Sequence, residues 1–218
     1  MDKEKHIDIQ GHRGARGHFP ENTIHSFIEA VKTGVDTLEL DVVISADNKV
    51  LVSHEPWMNE LFCTKPDGTQ VEKNSAQKYN LFKMTYAEIK NFDCGKKTNP
   101  NFPEQKATPA YKPLLSEVIE KIEEYTQVNK LPPVKYNIEI KSEEKDDGIF
   151  NPPPAVFVNL VYDVLKKQNI SRRIILQSFD VRILQELRKK DASLTISFLV
   201  ENNDSLETNL KSYTTDIQ

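Results

Sequence analysis

Short apolar runs alternate with longer amphipathic stretches along this chain, and the spacing of the apolar positions predicts which segments are strands and which are helices. Ile7–Gln10 reads as a strand, and Glu21–Thr33 as a helix with Ile24, Phe27, Ala30 and Val31 on one face and Gly34 at its end. Thr37–Ile44 and Val50–Ser53 form the next two strands, joined by the turn-like Ala46-Asp47-Asn48-Lys49 with no helix between them. Tyr136–Ile140, Arg173–Gln177 and Thr195–Val200 supply three more strands. Leu114, Leu115, Val118, Ile119, Ile122 and Tyr125 keep a helical period, as do Val156, Phe157, Leu160, Val161, Val164 and Leu165 after the prolines at 152–154. Another helix is expected behind Asp180, a good N-cap, with Ile183, Leu184 and Leu187 inward, and a last one from Ser205 through Leu206 and Leu210.

Strands alternating with helices in this way predict an α/β fold, a parallel sheet with helices packed outside it. Residues from about Glu55 to Pro113 break the rhythm. They are polar, carry Pro-Asp-Gly at 66–68, and hold one helical signal, the capping-box pattern Thr85-Tyr86-Ala87-Glu88. The expectation is one domain over 1–218 with an insertion subdomain at 55–113 lying over one end of the sheet.

Composition narrows the function classes. The chain has 218 residues, 38% hydrophobic and 28% charged, which suits an ordinary globular protein. Its formal net charge of -4 argues against a nonspecific nucleic-acid binder. No apolar run approaches the ~20 residues that span a bilayer, so no integral membrane segment is expected. The start, Met1-Asp2-Lys3-Glu4-Lys5, lacks the apolar region of a signal peptide. Two cysteines, Cys63 and Cys94, fall in the polar stretch. They are either two buried thiols or a disulfide stapling the insertion, and the second requires an oxidising compartment.

The candidate chemistry sits at strand ends. His12-Arg13-Gly14 closes the first strand, Glu39-Leu40-Asp41 lies within the second, and His54 follows the third in Val52-Ser53-His54-Glu55. Asn137-Ile138-Glu139-Ile140-Lys141 adds a further carboxylate and a lysine. Residues two apart on a strand share a face, so Glu39 projects with Asp41, and Glu139 with Lys141. Carboxylates in apolar strands are costly to bury unless paired or bound to a cation, and three converging ones call for a hard divalent ion, Ca²⁺ or Mg²⁺. His12 and His54, with ordinary pKa values near neutrality, suit proton transfer in phosphoryl chemistry. Arg13 offers a bidentate grip on phosphate and Lys141 a second cation. Gln177-Ser178-Phe179-Asp180 repeats the pattern, with Gln177 and Phe179 facing a pocket and Asp180 explained as a cap. His6, His18 and His25 read as structural.

Together, His12-Arg13-Gly14-Ala15-Arg16-Gly17, Pro20-Glu21-Asn22-Thr23, Leu38-Glu39-Leu40-Asp41-Val42, Val52-Ser53-His54-Glu55, Asn137-Ile138-Glu139-Ile140-Lys141 and Gln177-Ser178-Phe179-Asp180 resemble the glycerophosphodiester phosphodiesterase family. The resemblance covers nearly the whole chain. It implies a TIM barrel with its site at the C-terminal ends of the strands and an insertion after the third strand. It implies metal-dependent hydrolysis of glycerophosphodiesters to glycerol 3-phosphate and an alcohol. His12 and His54 become the acid/base pair, Glu39, Asp41 and Glu139 the ligands of one Ca²⁺ or Mg²⁺, and Arg13, Lys141, Gln177 and Phe179 the substrate contacts. The alternatives are a related barrel enzyme acting on lysophospholipids or polyol-phosphate polymers, and a catalytically inactive binding module. Relatives with this insertion are often exported, which favours a periplasmic setting over the cytoplasm. The sequence gives no oligomeric state.

Two departures stand out. Glu55 replaces the aspartate that the family commonly has after the second histidine. The chain also stops after the sixth strand–helix unit, where the family continues through two more strands and a pocket aromatic. A truncated barrel, unstable or poorly active alone, is the expectation.

Overall fold

A single strand, β2 (Thr37–Ile44), is buried along its whole length and sits near the middle of the sheet. In this computed structural model, residues 7–74 and 76–200 are described. Because side chains alternate across a strand, Leu38, Leu40, Val42 and Ile44 join the main apolar core, while Glu39 and Asp41 face the opposite side. Five strands run parallel in the order β1 (Gln10–His12), β2, β4 (Lys135–Ile140), β5 (Ile174–Ser178) and β6 (Thr195–Phe198). Helices α1 (Ile24–Thr33), α3 (Leu115–Val128), α4 (Pro154–Lys166) and α5 (Val181–Lys190) supply Phe27, Ile119, Phe157 and Leu184 to the same core. The result is an arc of a (β/α)-barrel, helices outside and a polar strand face inside. Among the described residues no helix is long and apolar enough to cross a membrane.

All six expected strand segments are present, but β3 (Val50–Val52) is not a further parallel stave. It folds back antiparallel on the C-terminal part of β2, pairing Val42 with Val52 and Ile44 with Val50. The short turn at 46–49 leaves no length for a crossover, so the hairpin is the only connection available. Two boundaries also shift. The first strand is Gln10–His12 rather than Ile7–Gln10, because the ladder to β2 runs from Gln10 to His12, whereas Ile7 and Ile9 are exposed. Helix α1 begins at Ile24, not Glu21, since the Thr23 side chain accepts from the Ser26 amide and caps it there. The helix expected from Ser205 lies outside the described residues.

The insertion builds a second apolar cluster. Val43 and Leu51 from the hairpin meet Met58, Phe62, Leu81, Ile89 and Phe92, and a Cys63–Cys94 disulfide lies inside it. Its short helix α2 (Tyr86–Ile89) carries the complete capping box of Thr85 and Glu88. The insertion also reaches the loop before α4: Trp57 packs edge-on against Phe150, with ring centroids 5.4 Å apart, and Asn80 donates to the Ile149 carbonyl.

Candidate active site

Strand register assembles the site. Asp41 pairs with Glu139, Glu139 with Gln177 and Gln177 with Ser197, so one row of polar residues crosses four strands. His12 pairs with Glu39 one row below. Oxygen atoms of Glu39, Asp41 and Glu139 all lie within 4.8 Å of one another, and all three residues are buried. Burial first, and then the neighbouring Asp41 charge, raises the Glu39 pKa. Burial also raises Glu139, against the opposing pull of Lys141.

Each carboxylate is held from the side. The Arg13 amide donates to Glu39 Oε2 at 3.0 Å, and Gln177 Nε2 to Glu39 Oε1 at 3.2 Å. Asn22 Nδ2 donates to Asp41 Oδ2 at 2.9 Å. Lys141 Nζ lies 2.7 Å from Glu139 Oε1 and 3.7 Å from Asp41 Oδ1. The turn that delivers these groups is tight. Arg13 and Asn22 have φ of 56° and 55°, and Gly14 has φ of 79° with Ser26 Oγ only 2.5 Å from where a Cβ would stand. Asn adopts this left-handed conformation with little strain, which explains its place here.

The three carboxylates fit a divalent cation. Among the described residues Asp41 Oδ1 is buried without a hydrogen-bond partner, an orphaned acceptor in the cluster. Glu21 adds a fourth carboxylate through its ion pair with Arg13, so Arg13 and Lys141 leave two negative charges uncompensated. An all-oxygen donor set with that residual charge suits Ca²⁺ or Mg²⁺.

One of the two histidines reaches this cluster, and the other lines the cleft beside it. His12 Nε2 is 3.8 Å from Glu39 Oε2, and the ring is half exposed. Burial first, then the Arg16 and Arg13 charges, depress its pKa to about 4, which leaves it neutral at pH 7. His54 Nδ1 lies 3.0 Å from Glu55 Oε1. Burial pushes Glu55 up, but the His54 hydrogen bond and the Lys112 charge outweigh it and hold the carboxyl at about 2.

Beside these groups opens a cleft of about 550 Å³, lined by His54, Pro56, Glu139, Lys141, Asp146 and Phe179 among others. Phe179 is exposed on it. Two expected phosphate or substrate contacts are placed differently. The Arg13 guanidinium is largely buried and hydrogen-bonds Glu21 Oε1 at 2.9 Å, with Nε 3.5 Å from Asp41. Gln177 is buried and spends its amide between Asn137 and Glu39. In both cases the inner strand face is too crowded with carboxylates and amides for the group to stand free.

Three contributors carried no role in the sequence reading. Asn22 is one, and its signal was the Asn directly before a capped helix. Asn137 is another, donating to both Gln10 and Gln177. Lys112 is the third, fully buried at the end of a polar insertion, and no local pattern marks it.

Comparison with known proteins points to one family. The sequence profile of the Glycerophosphoryl diester phosphodiesterase family matches residues 12–217. The chain is 29% identical over 194 residues to a glycerophosphodiester phosphodiesterase of Bacillus subtilis, covering 87% of this chain and 58% of that protein. It is 29% identical over 193 residues to one from Caldanaerobacter subterraneus, covering 88% of this chain and 66% of the relative. The chain therefore spans less than two thirds of the length of these curated relatives. A solved structure from Silicibacter pomeroyi, assigned to the same enzyme class, superposes with a TM-score of 0.80 at 26% identity, covering 97% of this chain and 73% of that one.

Proposed function

Because the chain belongs to the glycerophosphoryl diester phosphodiesterase family, we propose that it hydrolyses glycerophosphodiesters to glycerol 3-phosphate and an alcohol, using one Ca²⁺ or Mg²⁺. The observation that carries this reading is the buried Glu39–Asp41–Glu139 cluster, with His12 beside it and His54 on the cleft that opens next to it. A divalent ion held by these three carboxylates would neutralise nonbridging phosphate charge.

The chain's own residues supply the proton transfers. One imidazole of the His12/His54 pair takes a proton from the attacking oxygen as it bonds to phosphorus; that oxygen belongs to water, or to the neighbouring glycerol hydroxyl, in which case water then opens the resulting cyclic phosphate to glycerol 3-phosphate. The other gives a proton to the departing alkoxide as its bond to phosphorus breaks. Glu55 occupies His54 Nδ1, so Nε2 is the nitrogen free to meet the substrate. Lys141 and Phe179 line the cleft and would contact the substrate, whereas Arg13 and Gln177 act on it through the carboxylates they hold.

The disulfide supports an exported, periplasmic setting. Incubating the protein with a panel of glycerophosphodiesters and Ca²⁺ or Mg²⁺ should release glycerol 3-phosphate. No release from any head group, with the metal bound, would overturn the reading in favour of an inactive binding module.

A further inference from the structure

Lysine is seldom buried without a reason, since removing an ammonium from water is costly. Lys112 stands at the end of the insertion with only 6% of its surface exposed. The Phe62 ring lies 5.9 Å from its Nζ, on the insertion's apolar side. The Nζ donates to Ser53 Oγ at 2.7 Å, and the Ser53 hydroxyl donates in turn to the Glu55 backbone carbonyl at 2.6 Å. An ammonium has no acceptor capacity, so it fixes the direction of this chain: the serine must accept from Lys112 and can give its single hydrogen only to Glu55. The Ser53 amide donates to the Asp41 carbonyl at 3.0 Å, which anchors the other side of the same segment. Ser53 is thus tied to β2 through its amide and to the insertion through its hydroxyl, which also holds the Glu55 carbonyl, with His54 between the two residues.

We propose that Lys112 is a positioning residue for His54, acting through Ser53 and the Glu55 it orients. The inference rests on the reading above that His54 belongs to the acid/base pair. Lys112 touches no reacting atom. Its hydrogen bond to Ser53 sets the backbone of Glu55 through the serine hydroxyl, and its charge, itself opposed by burial, adds to the His54 hydrogen bond in holding the Glu55 carboxylate ionised. A carboxylate so placed selects the tautomer with hydrogen on Nδ1 and leaves Nε2 turned to the cleft. Packing alone does not call for a cation here, because a methionine would fill the same space beside Phe62. The insertion therefore contributes to the chemistry through one buried charge as well as by covering the sheet.

The test compares Lys112→Met and Ser53→Ala with wild type and with His54→Ala, in the presence of Ca²⁺ or Mg²⁺. Turnover of a glycerophosphodiester and the ¹⁵N NMR signals of the His54 ring are both read. In Lys112→Met, kcat should fall about 10- to 100-fold with KM nearly unchanged, and the single Nδ1-protonated tautomer should give way to a mixture. Ser53→Ala, which leaves the lysine in place and is the gentler change, should move both readouts in the same direction and decides the matter if Lys112→Met does not fold. A wild-type tautomer in the folded variants overturns the inference even if turnover falls, because a purely structural defect lowers activity without moving that signal. Normal turnover in His54→Ala overturns the catalytic reading itself, and the inference with it.

Discussion

Gln177 Nε2 donates to Glu39 Oε1 at 3.2 Å, joining β5 to β2 over the intervening β4. The Gln177 carbonyl oxygen accepts from Asn137 Nδ2 at 3.0 Å, which fixes the amide so that its nitrogen must face Glu39. Glu39 is held on its other oxygen by the Arg13 amide. Gln177→Ala should therefore loosen Glu39 and weaken Ca²⁺ or Mg²⁺ binding by about 10- to 100-fold. Titration calorimetry checks this, and an unchanged affinity would show that Arg13 alone suffices.

Glu39→Gln removes one charge from a cluster whose net excess matches a divalent ion. Calorimetry should then detect no Ca²⁺ or Mg²⁺ binding at concentrations that saturate wild type. Chelating the metal from the wild-type protein should abolish turnover, and adding it back should restore it. Full turnover after exhaustive chelation would remove the cation from the reaction.

Replacing either His12 or His54 tests the acid/base pair. His12→Ala and His54→Ala should each lower kcat by about two to four orders of magnitude, with the cation still bound. Steady-state kinetics settles the matter, and near-normal turnover in either variant would refute that residue's assignment.

Glu55 makes a prediction about stability and pH. Its folded pKa of about 2 lies below the ordinary value of 4.5, so the unfolded chain takes up the proton first as pH falls. The stabilisation is fully present above about 4.5 and is lost as the pH drops from there through about 2, for a total on the order of 3 kcal/mol. Denaturant melts of wild type and Glu55→Gln over this window should converge toward low pH. Parallel curves would show that the carboxylate is not stabilised by folding.

The Cys63–Cys94 bridge closes a segment with a sequence separation of 31 residues. Loop-closure entropy gives such a bridge about 3–4 kcal/mol, held within the insertion's own cluster. Cys63→Ser should destabilise the insertion by that order, seen as faster proteolysis between residues 59 and 112. Counting thiols in denatured, unreduced protein should find none, and finding two would count against the bridge and the exported setting it supports.

Much of this was legible in the order of residues. The alternation of Leu38-Glu39-Leu40-Asp41-Val42 dictates that the carboxylates share one face and the aliphatics the other, and the structure keeps that division. Asp180 and the Thr85–Glu88 box were readable as caps because a cap involves only neighbours within one turn. Ile7 misled the first strand boundary, since an apolar residue at the edge of a sheet need not be covered. The direction of β3 was less readable, because an apolar run of three residues carries no information about its partner.

The sequence by itself determined the classes of element, the face on which each charge stands and the inventory of the site. Only the tertiary structure decided which groups meet. Sheet register sets Asp41 beside Glu139 and Glu139 beside Gln177, although nearly a hundred residues separate the first pair along the chain. Close packing decided that Arg13 is spent on Glu21, and that Lys112, at the far end of the insertion, bonds Ser53 next to His54. Local periodicity follows from backbone geometry and is written within a few residues. Distant pairing follows from how whole faces pack, and no short stretch of sequence contains it.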